Sequence, residues 1–172
     1  MSLSMRLRND VRTPNPPRLI HISDTPLSAA SRNRRKETTI TETELEQLAE
    51  TLGITVEDDH HGHLHPGDLG GYIHHNRLIL LAPTLGAVNR RCTLAHELAH
   101  ALRGDEPTGN PHFDARSERA ADYMAAEMLI SSAEYELAER LHDGHEGAIA
   151  RELGVTRHLL ATWKKMYERV NQ

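Results

Sequence analysis

The sequence is poor in the residues that build disulfides and stacking surfaces. One cysteine, Cys92, stands among 172 residues, and aromatic side chains make up only 3%. A lone thiol forms no internal disulfide, which points to a reducing compartment. So few aromatics disfavour a stacking platform for single-stranded nucleic acid, and the core must be built mainly from Leu, Ile, Val, Ala and Met. No apolar run is long enough to span a bilayer and no signal-peptide core is present, so the expectation is a cytoplasmic protein with no membrane partner.

Histidine is what the chain has in excess, with 13 residues. Neutral imidazole is the commonest protein ligand for transition metals, so the spacing of these histidines decides whether they are chemistry or background. The net charge of −5 is unevenly spread. Residues 1–36 carry eight Arg/Lys against two Asp/Glu, net +6, leaving a net −11 beyond. That first stretch contains Pro14, Pro16, Pro17 and Pro26 and shows no helical or strand period, so residues 1–38 read as a basic, disordered arm. Such an arm is either a solubilising start or an electrostatic tether to nucleic acid or an acidic partner.

Order is expected from Thr41, where Thr41-Glu42-Thr43-Glu44 has capping-box spacing ahead of the stripe Leu45, Leu48, Ala49, Leu52, with Gly53 as the stop. Ile54-Thr55-Val56 is a short strand signal. The polar run from Asp58 to Gly67, holding His60, His61, His63 and His65, reads as a loop; an auxiliary metal site or a flap is the sharper alternative. Residues 71–73 and 77–82 form a hairpin around His75-Asn76. A helix follows from Thr84 as N-cap through Leu102, stopped by Gly104. Further helices are expected over about 116–130 with Asp114 as cap, from Ser131 or Ser132 to before Asp143, and over about 146–153 and 157–170.

The helix ending at Gly104 contains His96-Glu97-Leu98-Ala99-His100. Histidines at i and i+4 lie one turn apart on one face and can reach one ion, while Glu97 lies 100° round, placed to hold and deprotonate a water. Leu94, Leu98, Ala101 and Leu102 fall on the opposite arc, toward a core. In so His-rich a chain, composition alone produces on the order of 0.09 such matches per shuffled sequence, so the motif needs a second test. A catalytic zinc takes three protein ligands. The metzincin position for a third histidine is occupied by Glu106, which disfavours that variant. Glu118 and Asp122, again i and i+4, fall on the next helix; one carboxylate can bind the ion while the other accepts a hydrogen bond from a ligating imidazole. Ala121 and Ala125 on that face allow close helix approach. His112 is an alternative third ligand.

At these residues the chain resembles the ImmA/IrrE metallopeptidases, with Thr93-Leu94-Ala95-His96-Glu97-Leu98-Ala99-His100 and the run Glu118 to Ser131 standing where that family has T-L-A-H-E-L-G-H and E-x-x-A-N/D-x-F-A-A-x-L-L-M-P. The departures are Ala99 for Gly, Met124 for Phe, Met128 for Leu, Ile130 for Met and Ser131 for Pro. None removes a ligand or the base. The resemblance covers residues 41–135 well and the last helices loosely. It implies His96, His100 and Glu118 as Zn2+ ligands, Glu97 as general base, and Asp122 as the carboxylate behind a ligand. The implied fold is α+β and zincin-like, a small antiparallel sheet packed on helices over 39–143, with an edge strand able to pair with an extended peptide. The implied activity is that of a zinc endopeptidase, and the implied substrate is a helix-turn-helix repressor silencing mobile elements or stress genes. Tyr72 and His112 are candidate oxyanion donors, with Tyr123 behind them because it points about 140° from Glu118.

Residues 144–172 form the C-terminal segment, in which Ala150 to Thr156 followed by Leu159, Leu160 and Trp163 resembles a helix-turn-helix. Arg157, Lys164, Lys165 and Arg169 would give its second helix a basic face for DNA or a partner. The acidic body argues against tight DNA binding by a monomer, so packing on the peptidase body, or docking of a partner protein, is favoured. Cys92, one turn before His96, reads as a small buried side chain rather than a thiolate gate. The rival to the peptidase is a DNA-binding or partner-binding regulator whose metal site is structural or vestigial.

Overall fold

The computed structural model describes residues 40–106 and 108–170; the basic arm lies outside them. Thr41 opens the first helix, α1 (Glu42–Thr51), with a full capping box: the Glu44 carboxylate accepts from the Thr41 N–H at 2.7 Å, and the Thr41 hydroxyl accepts from the Glu44 N–H. Leu45 and Ala49 bury its inner face. Its last turn has no basic residue; instead the Arg77 guanidinium reaches back to the Leu52 and Gly53 carbonyls.

Three short strands follow, β1 (Thr55–Asp58), β2 (Gly70–Ile73) and β3 (Leu78–Leu81), with one 3₁₀ turn over His74–Asn76 between β2 and β3. They pair in the order β1-β3-β2. β2 and β3 are the expected hairpin, with Tyr72 opposite Ile79, but β1 runs parallel to β3, with Val56 opposite Ile79. The sheet is therefore mixed, not antiparallel as expected, because the long loop after β1 carries the chain across to the far side of β3. Asp59 turns that loop, its carboxylate accepting from the N–H groups of His63 and Leu64.

A turn over Ala82–Leu85 takes up Thr84, so α2 (Ala87–Arg103) starts at Gly86 rather than at Thr84. Arg90 in its first turn ties α1 to β1 by binding Glu42 and Asp58. α3 (Pro111–Leu129) begins earlier than expected: Asn110 caps it with Pro111 in the first position, while Asp114 accepts from the Thr108 hydroxyl and N–H. α4 (Ser132–Leu141) is capped by Ser131, and α5 (Glu146–Glu152) and α6 (Arg157–Val170) follow.

Leu45, Ile79, Leu81, Leu94, Leu98, Leu129, Ile149 and Leu160 are the large side chains excluded from water, so the core draws on every helix and the sheet, α5 and α6 included. Leu102, expected on the core arc, is exposed in the last turn of α2. Ala95 and Ala99 of α2 and Ala121 and Ala125 of α3 are fully buried, and these small side chains allow the two helices to run close together. Half of the aromatic residues gather between α6 and α4: Trp163 stacks on Tyr167 at 4.7 Å and packs at a tilt against Tyr135 at 4.5 Å. No described helix is long and apolar enough to cross a membrane.

Candidate metal centre

The close approach of α2 and α3 decides what happens at their polar edge. His96 and His100, one turn apart on α2, aim their Nε2 atoms at each other across 3.1 Å. Glu118 on α3 completes the triangle, with one oxygen 3.3 Å from His96 Nε2 and the other 3.5 Å from His100 Nε2. Among the described residues this is the one group of three that can hold an ion. Two ligand atoms on a tetrahedral zinc with bonds of about 2.0–2.1 Å stand roughly 3.3–3.4 Å apart, and the spacing between the two imidazole nitrogens and that from His96 to its nearer Glu118 oxygen are close to this.

The protonation of the two histidines fits the same role. His96 Nδ1 lies 3.1 Å from Asp122 Oδ1, and His100 Nδ1 lies 3.1 Å from Asp105 Oδ2. Burial works against a charge on Asp122, but its bonds to His96 and His158 outweigh it and hold the carboxyl below its usual range. Burial likewise works against Asp105, and Arg103 and His100 prevail. An ionised carboxylate only accepts, so both imidazoles donate through Nδ1 and present the lone pair of Nε2 to the centre. On His96, burial opposes protonation, but Asp122, Glu97 and Glu118 together raise its pKa. Two imidazole nitrogens and a carboxylate converging within hydrogen-bond distance form a donor set for a cation, and zinc suits two imidazoles and one carboxylate.

Glu97 is only 7% exposed and lies beside the triangle. Burial pushes its carboxyl up to about 7; the His96 charge lowers it, Glu118 raises it and the Tyr72 backbone N–H lowers it. A carboxyl with a pKa near neutral is placed to take and return a proton.

β2 lies at the sheet edge beside these groups. Gly70, Gly71 and Tyr72 line a recess of about 510 Å³ with His96, Glu97 and Glu118. A second recess of about 420 Å³ shares Gly70, His96, Glu97 and Glu118 and continues to Cys92, Thr156 and His158. The two form one groove through the centre.

Tyr72 therefore reaches the cleft, and its ring packs edge-on against His74. His112 is exposed at the start of α3, its ring against Phe113, and it lines neither recess. The loop histidines His60, His61, His63 and His65 are exposed and likewise line neither recess. Cys92 is buried, its thiol bonded to Thr156. On α6, Lys164 pairs with Glu146 at 2.6 Å, the Arg157 guanidinium lies against Gly147, and Lys165 is exposed. Two site residues escaped the sequence reading. Asp105 follows the helix-stopping Gly104, a place from which a chain folds back on its own last turn, and that was its signal. His158 carried none, because its contact with Asp122 spans 36 residues.

A family model described as the IrrE N-terminal-like domain, Peptidase_M78, matches residues 49–162. The chain belongs to this family. The match extends from α1 into α6, so the IrrE-like domain takes in the metal triangle and most of the C-terminal helix pair. Among solved structures it is similar to a Mycobacterium tuberculosis transcriptional regulator, with 18% identity and a TM-score of 0.53 over 70% of this chain. At that identity the likeness is one of fold, and this chain spans 39% of the regulator's length. Nothing matches among the curated proteins searched.

Proposed function

We propose that this IrrE-like protein is a zinc endopeptidase of narrow specificity that acts in the cytosol on a helix-turn-helix repressor, relieving repression of a mobile element or stress genes. The observation that carries the reading is the triangle His96, His100 and Glu118 with buried Glu97 beside it. Membership of a peptidase family supports the activity, and the fold likeness to a transcriptional regulator agrees with a regulatory setting.

Zinc, when bound, supplies Lewis acidity for a water and for a substrate carbonyl. Glu97 takes the proton of the attacking water and passes it to the leaving amine. The free edge of β2 pairs with the substrate as an extended strand, which lays the scissile bond along the groove. Tyr72, on that strand, is the donor for the developing oxyanion.

The test is Glu97→Gln. The variant is expected to keep zinc and to lose both cleavage of a helix-turn-helix repressor, read by mass spectrometry, and the derepression that follows from it. If derepression survives in Glu97→Gln, the peptidase reading is wrong.

The second reading, a DNA-binding or partner-binding regulator with a structural metal, draws on α5 and α6: Gly154 turns between them at φ 61° and Thr156 caps α6. Against DNA stand the Lys164–Glu146 pair and the packing of α6 on the body. A gel shift at low salt, with and without residues 1–36, separates the two; absence of binding removes the DNA reading.

A further inference from the structure

The side chains that orient the metal ligands do not all belong to α2 and α3. Asp122 uses both oxygens: Oδ1 faces His96 Nδ1 at 3.1 Å, and Oδ2 faces His158 Nε2 at 2.8 Å. With Asp122 ionised, both nitrogens donate, and the carboxylate is held from two sides. His158 is the second residue of α6, so the helix pair at the C-terminal end reaches the centre through one carboxylate.

The start of α6 is fixed independently of this contact. The Arg91 guanidinium donates to the Leu153 carbonyl at 2.9 Å, the Cys92 thiol bonds Thr156, and the Thr156 hydroxyl caps α6 at the Leu159 N–H. Arg91 and Cys92 lie on α2, within about a turn and a half of His96. The connection closes on itself: α2 anchors the turn before α6, α6 presents His158 to Asp122 on α3, and Asp122 holds His96 on α2. The middle of α6 is pinned by Trp163 on Tyr135.

We propose that His158 is a positioning residue for the metal centre, holding Asp122 so that Asp122 fixes the tautomer and orientation of His96. It rests on the reading of His96, His100 and Glu118 as zinc ligands. His158 lines the second recess, but it reaches the metal ligands only through Asp122, on the Nδ1 side of His96. Its side chain is 69% exposed, and an ion pair so open to water adds little to the fold. The clamps at Leu153, Thr156 and Trp163 hold α6 without it. Its effect belongs in zinc affinity, where the orientation of a ligand is felt, and not in the stability of the domain.

The experiment measures zinc affinity of the full chain by chelator competition, alongside the thermal midpoint of the metal-stripped protein. His158→Ala is expected to weaken zinc about tenfold, the lower end for groups behind a ligand, with the stripped midpoint unchanged. His158→Gln, which keeps a donor, is expected to recover most of the loss. In an Asp122→Asn background His158→Ala is expected to add nothing, since the two act as one unit. The proposal is overturned if His158→Ala binds zinc within about twofold of the parent, if Gln fails to recover it, or if its effect adds in full to Asp122→Asn. A parent protein that takes up no zinc overturns both this and the peptidase reading. A parent that binds zinc but cleaves nothing sinks the peptidase alone.

Discussion

Asp105 meets His100 twice, donating its backbone N–H to the His100 carbonyl at 3.0 Å and accepting from the imidazole Nδ1 at 3.1 Å. The fold-back depends on Gly104, which sits at φ 66° between the end of α2 and Asp105. One glycine therefore ends the helix and delivers the carboxylate that orients a ligand.

Two substitutions probe this. Asp105→Ala is expected to weaken zinc about 10- to 100-fold, and an unmoved chelator-competition midpoint would remove Asp105 from the site. Gly104→Ala forces a Cβ into the left-handed region, at about 1–2 kcal/mol, and is expected to lower both the urea midpoint and zinc affinity. Loss of stability with full zinc affinity would mean that Asp105 keeps its place without the glycine.

Gly70 sits where β2 crosses α2. A Cβ there would lie 2.6 Å from Thr93 Cγ2 and 3.1 Å from the Leu80 carbonyl oxygen. Thr93 is largely buried, so the contact is relieved only by turning its side chain or by moving β2. Gly70→Ala is expected to cost about 1–3 kcal/mol through overpacking and to shift β2 away from the groove. Thr93→Ser removes the clashing methyl and is expected to recover part of the loss. A double variant as unstable as Gly70→Ala alone would place the clash elsewhere.

Asp59 holds the histidine-rich loop by accepting from the backbone of Leu64 and His63, and these bonds keep its carboxyl below the ordinary range. A lowered folded-state pKa stabilises above the unfolded-state value, and that contribution is lost as pH falls through the folded-state value. Asp59→Asn is therefore expected to be less stable than the parent at pH 7. The difference should begin to shrink below about pH 4, where Asp59 of the unfolded chain takes up its proton, and should close as the folded protein's carboxyl follows at lower pH. Urea midpoints of both proteins across pH 3–7 measure it, and a gap that does not narrow contradicts the assignment.

What was legible in the sequence is what is local in the fold. The Thr41 capping box, the Leu94 and Leu98 part of the α2 stripe and the His96–His100 spacing need only local rules, and each stands in the structure where those rules put it; Leu102, on the same arc, does not. Glu118 and Asp122 needed one further fact, that α2 and α3 pack together, which the small residues on both helices signal. The direction of β1 was not legible, because parallel pairing with β3 depends on a crossing loop and not on any feature of Thr55 to Asp58. The start of α3 was misplaced because Asp114 has a capping side chain, yet Thr108 claims it and Asn110 takes its role. His158 was beyond reach for the same reason as β1: its contact follows from how α6 docks, and no spacing rule encodes it.

Cys92 offers a test of that docking through its thiol. Burial pushes the thiol pKa up, while its bonds to Thr156 and the nearby Arg91 charge work the other way without prevailing. A raised pKa and a 5% exposed side chain both suppress thiolate chemistry. At pH 8 the folded protein is expected to react with a disulfide reagent on the order of a hundredfold more slowly than the urea-unfolded chain, since modification must wait for local opening. The opening it waits for is separation of the turn at Thr156 from α2, so Arg91→Ala, which removes the bond to Leu153, is expected to speed the reaction. Trp163→Ala, at the middle of α6, is expected to speed it further, because loss of a buried aromatic costs about 3–5 kcal/mol. A thiol that reacts equally fast in folded parent and in both variants would show that α6 does not cover Cys92, and the anchoring of His158 beside Asp122 would lose its support.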